Sequence, residues 1–272
     1  MTGVQTCALP ISFFFSLIVI IQNEKEGIRR EIRTNSCSLL SMKLPDNEAS
    51  VSAMAASSDE ALRVPCYCEE NVWRLTFRKL KLQQQGFEPG TRYYVVFVSS
   101  HQKLVPMFYQ KASETVNNSS DEPVFWDYHV ILLERREDGK AYVTDVDTFL
   151  TPSPAPLDHY LDKSFRPDEY TEEVNPRFRV VDASVFLKFF SSDREHMRKN
   201  GKWMAEPPSY RCIQADEARP TSNLDCYRIM TAADLTIGQR HDDKFGGVMT
   251  MEQLREFSST AMSWECPISL CY

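Results

Sequence analysis

The stretch VFWDYHVILLE (residues 124–134), followed by RREDG (135–139) and, after Lys140, by AYVTDVD (141–147), decides how this chain is read. Residues 124–134 are rich in aromatic and β-branched side chains, and the charged run ending in Gly139 is turn-like. The pattern predicts a β-hairpin centred near Glu137. In a continuous strand Asp127, His129 and Ile131 share one face, and Trp126, Tyr128 and Val130 the other. Symmetry about residue 137 sets His129 opposite Asp145 with Cβ atoms roughly 5 Å apart. A carboxylate there can hold the imidazole by its second nitrogen.

Upstream, residues 69–82 place Trp73, Phe77 and Leu80 at i, i+4 and i+7, which predicts a helix beginning beside Cys68 with those three as its apolar stripe. Gly86 and the Pro89-Gly90 pair end it. Residues 93–98 and 104–109, separated by Ser-Ser-His-Gln, predict another hairpin. Downstream, the proline-rich residues 151–156 precede a short helix at 159–165 and a strand at 177–181. Asp182 is placed to cap a helix at 183–191, and Thr250 with Gln253 forms a capping box opening a helix to about Ser258. Strands joined as hairpins with helices between them give an α+β fold with a mostly antiparallel sheet.

The 272 residues, 42% hydrophobic and 25% charged, fit one globular domain with tails. Residues 1–64 read as a disordered or artefactual leader with the true start at Met54. Residues 65–258 form the ordered domain, and 259–272 are an unassigned tail. A net charge of −7 offers no basic field for nucleic acid or anionic lipid. The apolar run 11–21 is shorter than the about 20 residues of a membrane span, so neither nucleic acid nor membrane is expected as a partner. Asn117 and Asn118 head sequons assigned to an exposed polar loop. The eight cysteines lack the dense spacing of a disulfide scaffold and read as reduced thiols. Neither paired C-x-x-C nor H-x-x-x-H spacing occurs among the candidate ligands, so no metal is expected.

Chemistry concentrates on Cys68, His129 and Asp145. A thiol acts as nucleophile in its thiolate form, and a helix start with a nearby imidazolium lowers its pKa. With a carboxylate orienting the histidine, the three complete the logic of nucleophile, base and orienting acid. Each alone is ordinary: buried cysteines are usually packing and strand histidines usually core. The residues by themselves give a candidate thiol hydrolase. A cysteine peptidase, a transglutaminase and a non-catalytic binding module remain alternatives. Cys66, separated from the helix-start cysteine by one residue, reads as structural.

The segments CYCEENVW (66–73), WDYHV (126–130) and YVTDVDT (142–148) together resemble the protein N-terminal glutamine amidohydrolases, the WDYHV-motif family. The likeness continues through FRV (178–180), SDR (192–194), His196-Met197, EPP (206–208) and Asn223-Leu224, covering about residues 65–257. Thr144 departs from the family pattern, which often has an aromatic residue before the aspartate. The resemblance implies a papain-like or transglutaminase-like fold. It also implies a Cys68–His129–Asp145 triad that deamidates N-terminal glutamine to glutamate without a cofactor, in the N-degron pathway. Proteins or peptides with N-terminal Gln would be the substrates of a monomeric enzyme of the cytoplasm or nucleus. Glu69, Glu70 and Asp127 are candidates to bind the substrate α-ammonium, with support of the helix dipole as the alternative for Glu69 and Glu70.

Overall fold

The computed structural model describes residues 58–113, 122–215, 222–230 and 244–259. The expected leader as far as residue 57 (with the apolar run and Met54), the sequons at Asn117 and Asn118, and the tail from residue 260 lie outside the described residues. Six strands make one sheet. In spatial order they are Gly247–Met249 (β8), Arg177–Asp182 (β7), Arg92–Ser99 (β1), His129–Arg135 (β4), Ala141–Thr144 (β5) and Ala155–Pro156 (β6), every neighbouring pair antiparallel. Helices cover both faces, in agreement with the α+β expectation.

The sequence of β1, RYYVVFVS, explains its central place, because it is apolar on both faces. Tyr93, Val95 and Phe97 enter one core with Cys68, Val72 and Leu75 of the helix Cys68–Gln84 (α1) and Phe186 of Ala183–Phe189 (α3). Val96 and Val98 enter a second core with Tyr160 and Leu161 of Leu157–Ser164 (α2) and Leu254 of Met251–Ser259 (α4). Both edges of β1 are occupied by β4 and β7, so the expected hairpin with residues 104–109 does not form. Ser100 Oγ donates to the Leu104 carbonyl at 2.8 Å and accepts the Leu104 amide at 3.1 Å, turning the chain into a separate ribbon. There Val105–Met107 (β2) pairs with Val124–Trp126 (β3).

The hairpin of β4 and β5 exists, with a different centre. Leu132 pairs with Thr144 and Arg135 with Ala141, so the turn is centred at Asp138 rather than Glu137. Gly139 supplies the φ of 77° that closes it, its amide donating to the Arg136 carbonyl at 3.0 Å. The strand expected from 124 to 134 is broken at Asp127–Tyr128. The break carries Trp126 to the side of His129, where the rings stack at 5.4 Å and 22°, instead of to the opposite face.

The core face of α1 is Cys68, Val72 and Leu75, whereas Trp73, Phe77 and Leu80 are only partly buried at its margin. Apolar spacing misjudged the face because the buried side also carries charged residues whose charges are paired: Glu70 with Arg194, Arg78 with Asp59, Lys79 with Glu134. The capping expectations held. Asp182 accepts the amides of Ser184 and Val185, and Thr250 and Gln253 bond reciprocally. Residues 58–64, assigned to the leader by sequence, are part of the fold: the 3₁₀ turn Asp59–Leu62 is capped by Ser58, and Leu62 packs on the first core. No helix among the described residues is long and apolar enough to cross a membrane.

Candidate active site

Cys68 is the first residue of α1, whose cap residue Tyr67 makes no side-chain capping bond and instead donates its hydroxyl to the Ala205 carbonyl. Only 7% exposed, Cys68 lines a cleft of about 140 Å³ with Trp126, Asp127, Tyr128, Asp147 and His196. Burial pushes its thiol pKa well up; the carboxylates of Glu69, Asp147 and Asp127 push it further, and a backbone hydrogen bond from Val130 only partly offsets them. The thiol is therefore neutral in the free site, a correction to the thiolate expected at a helix start. It donates to Glu69 Oε2 at 3.7 Å.

β4 opens at His129, which is fully buried, and its Nε2 lies 2.9 Å from Asp145 Oδ1. Asp145 follows the end of β5 and reaches the imidazole from a turn, not by cross-strand pairing. Four donors fill its carboxylate. His129 Nε2 and the Asp147 amide, both at 2.9 Å, share Oδ1; Tyr160 Oη at 2.8 Å and Gln110 Nε2 at 3.2 Å take Oδ2. Burial alone would raise the Asp145 pKa, but His129 and these hydrogen bonds outweigh it and hold the carboxyl below its ordinary value. For His129, burial opposes protonation, and Asp145, Asp147 and Glu69 overcome it, so the imidazole pKa is raised. Its Nδ1 is buried without a hydrogen-bond partner. The structure joins His129 directly to Asp145 and sets Cys68 beside Val130, the next residue of the same strand, while the thiol bonds to Glu69 rather than to the imidazole.

The three acidic candidates differ. Glu69 is buried beside the thiol, where burial and the charge of Glu70 raise its carboxyl to about 7. Tyr128 Oη donates to its Oε2 at 3.0 Å, and His196 Nε2 stands 3.5 Å from its Oε1. His196 is itself pushed down to about 4 by burial and by Arg228, and stays neutral. Glu70 is clasped by Arg194 through two bonds of 2.8 and 2.7 Å, a forked pair that fixes α1 to the segment after α3. Asp127 lines the cleft with its side chain 46% exposed, 3.3 Å from Arg228 Nη1. Of the three, Asp127 is the one open to a ligand.

Tyr160, Gln110 and Arg63 escaped the sequence reading. Leu157, Tyr160, Leu161 and Ser164 fall at i, i+3, i+4 and i+7 and are the buried face of α2. A tyrosine on such a face needs a partner for its hydroxyl, which is a signal that a buried acceptor is near. Gln110 and Arg63 lie in irregular segments and gave no such signal. One nitrogen of His129 and one oxygen each of Asp145 and Asp147 lie within 4.8 Å of one another and could hold a cation. These atoms are already committed, Asp145 to His129 and Asp147 to Arg63 at 2.6 Å. Cys66 is disulfide-bonded while Cys68 and Cys212 are free, which corrects the reading of all eight cysteines as reduced. Cys66 lines the cleft with its backbone at φ 71° instead of packing in the core.

A family model described as N-terminal glutamine amidase matches residues 63–258. Curated relatives named protein N-terminal glutamine amidohydrolase include one from Danio rerio, 37% identical over 190 residues, or 68% of this chain and 89% of the relative. One from Homo sapiens is 36% identical over 170 residues, 61% and 77% of the two chains. Another from Arabidopsis thaliana is 37% identical over 205 residues, 71% and 89%.

Proposed function

This chain belongs to the N-terminal glutamine amidase family, and from that premise we propose that it deamidates N-terminal glutamine of proteins to glutamate with Cys68 as nucleophile, His129 as base and Asp145 as the acid that orients it. The observation that carries the reading is the filled Asp145 carboxylate. By fixing Nε2–H toward Oδ1 it leaves Nδ1, the free and buried nitrogen, as the basic one.

Because the free thiol is neutral, His129 takes its proton as the sulfur attacks the side-chain carboxamide. The imidazolium gives the proton to the departing ammonia. Water, activated by His129, then hydrolyses the γ-glutamyl thioester. Backbone amides at the start of α1 are the candidates to stabilise the tetrahedral oxyanion. Asp127 receives the α-ammonium at the cleft, with Glu69 behind it. The arriving positive charge offsets the anions that raise the Cys68 and His129 pKa values, so the substrate helps to activate its own nucleophile. The papain-like or transglutaminase-like kinship, a monomeric state, work in the cytoplasm or nucleus and a place in the N-degron pathway belong to the same proposal.

The test compares peptides beginning with Gln, Asn, acetyl-Gln and Gly-Gln, followed by ammonia release and intact mass. Gln alone should turn over well, with Asn lower by about 10- to 200-fold or more, since one methylene is worth that much in binding. Comparable turnover of acetyl-Gln or internal Gln refutes the N-terminal reading. Cleavage of the peptide would point to a peptidase.

A further inference from the structure

Leu62, Arg63 and Val64 precede the cysteine-bearing helix and are pinned onto it. Asn71, fully buried in α1, donates to the Val64 carbonyl at 2.8 Å and accepts the Val64 amide at 2.9 Å; Arg74 donates to the Leu62 carbonyl at 3.2 Å. Between these anchors Arg63 Nε donates to Asp147 Oδ1 at 2.6 Å. The pair is mostly buried, with side-chain exposures of 25% and 5%.

Asp147 needs that partner. It sits with Asp145 and His129 within 4.8 Å, so two carboxylates stand within reach of one imidazole. Burial, with the charge of Asp145, holds its carboxyl above the ordinary value, and His129 and Arg63 offset only part of that rise. Apart from Arg63, the described residues hold Asp147 through its backbone: its amide bonds to Asp145 Oδ1, its carbonyl accepts the Lys111 amide, and Lys111 Nζ reaches the Val146 carbonyl and Glu60. A charged carboxylate buried next to another is costly unless it is paired.

We propose that Arg63 is a positioning residue. By holding the Asp147 carboxylate it leaves the imidazole N–H to Asp145, and it ties the 145–147 turn to the helix that carries Cys68. The proposal rests on the reading of Cys68, His129 and Asp145 as the working set. It places residues 58–64, ahead of both cysteines, in the machinery of the site. The groups facing His129 are then Asp145 and Asp147 from the turn, Glu69 from α1 and Tyr160 behind Asp145, with Arg63 as the cation that balances the second aspartate.

The experiment uses the full chain and its variants Arg63→Ala, Arg63→Lys, Asp147→Asn and the double Arg63→Ala/Asp147→Asn, assayed with a Gln-initiated peptide across pH. A displacement near 1 Å at a reacting group costs about 100-fold, and Arg63→Ala should lower kcat by that order. An uncompensated Asp147 anion should also move the acid limb of kcat/KM up by about one pH unit. Arg63→Lys should recover part of the loss. Relative to Arg63→Ala, the double variant should recover most of kcat and return the acid limb, because the offending charge is gone. A double variant as impaired as Arg63→Ala, with an unshifted limb, overturns the proposal and leaves Arg63 a strap. Should Arg63→Ala not fold, the same comparison is made between Arg63→Lys and Arg63→Lys/Asp147→Asn. The His129 imidazole titration by NMR is read in each variant independently of turnover. An inactive parent chain with the shift in His129 intact would count against the proposed function and not against this pairing.

Discussion

Replacing Asp145 by Asn tests how this site uses a carboxylate. All four contacts on Asp145 are donors, so an amide must turn its nitrogen toward two of them. Oδ1 is shared by His129 and the Asp147 amide, and a backbone amide can only donate. On Oδ2 both partners can adapt. Gln110 can flip, because its Oε1 is buried without a partner, and the Tyr160 hydroxyl can turn toward the neighbouring Ser164 hydroxyl. The Asp145→Asn side chain should therefore keep oxygen toward His129, and the tautomer with Nε2–H should survive. What is lost is the charge facing the imidazolium formed as the thiol attacks. At about 4 Å between charge centres and an effective dielectric constant near 20, that attraction is about 4 kcal/mol. At about 1.4 kcal/mol per factor of ten, kcat/KM should fall about 10³-fold, with little change in melting temperature. Turnover of a Gln-initiated peptide and the ¹⁵N shifts of His129 are the two measurements. A fall below tenfold would move the orienting role to Asp147. A His129 protonated on Nδ1 would show that the amide seats the other way round and refute the donor argument.

Other outcomes follow from the charges around the thiol. Glu69→Gln should shift the pH midpoint of iodoacetamide alkylation of Cys68 downward, because the carboxylate that accepts the thiol proton is gone; an unmoved midpoint would clear Glu69 of that role. The same substitution bears on stability. The Glu69 pKa is raised from 4.5 to about 7 in the fold, so its contribution is fully present below 4.5 and is lost as pH rises through about 7. Denaturant midpoints of the variant should lack that decline. Since the His129 pKa is raised above 6.5 and the base must be neutral, the acid limb of kcat/KM in the native protein should lie above pH 6.5, and a limb below that value contradicts the anionic field. A chain beginning at Met54 should match the full chain in activity and melting temperature. One beginning at Pro65 loses Arg63 and Asp59 and should be less stable by about 3–5 kcal/mol, the cost of breaking a buried pair; equal melting curves would refute the role of residues 58–64.

Much was legible before any tertiary structure. The motif residues at 66–73, 126–130 and 142–148 identified the family, and the apolar texture of 124–134 and 141–147 gave the hairpin that brings His129 near the acid pair. Asp182 and Thr250 with Gln253 declared their helix starts because capping is local: donor and acceptor lie within three residues. The rest depends on contacts distant in sequence. Whether 93–98 pairs with its neighbour or stands between β4 and β7 is settled by which edges are covered. A one-residue error in the hairpin centre shifts the register by two, so Asp145 meets His129 through a turn held by Gln110 and Tyr160 rather than across a ladder. The face of α1 was misread because its core side includes charges paired with residues as far away as Arg194. Helix position alone suggested a thiolate at Cys68. Only the assembled fold buries that sulfur and surrounds it with Glu69, Asp147 and Asp127, and burial first, with those carboxylates adding to it, outweighs the partial charge of one helix end.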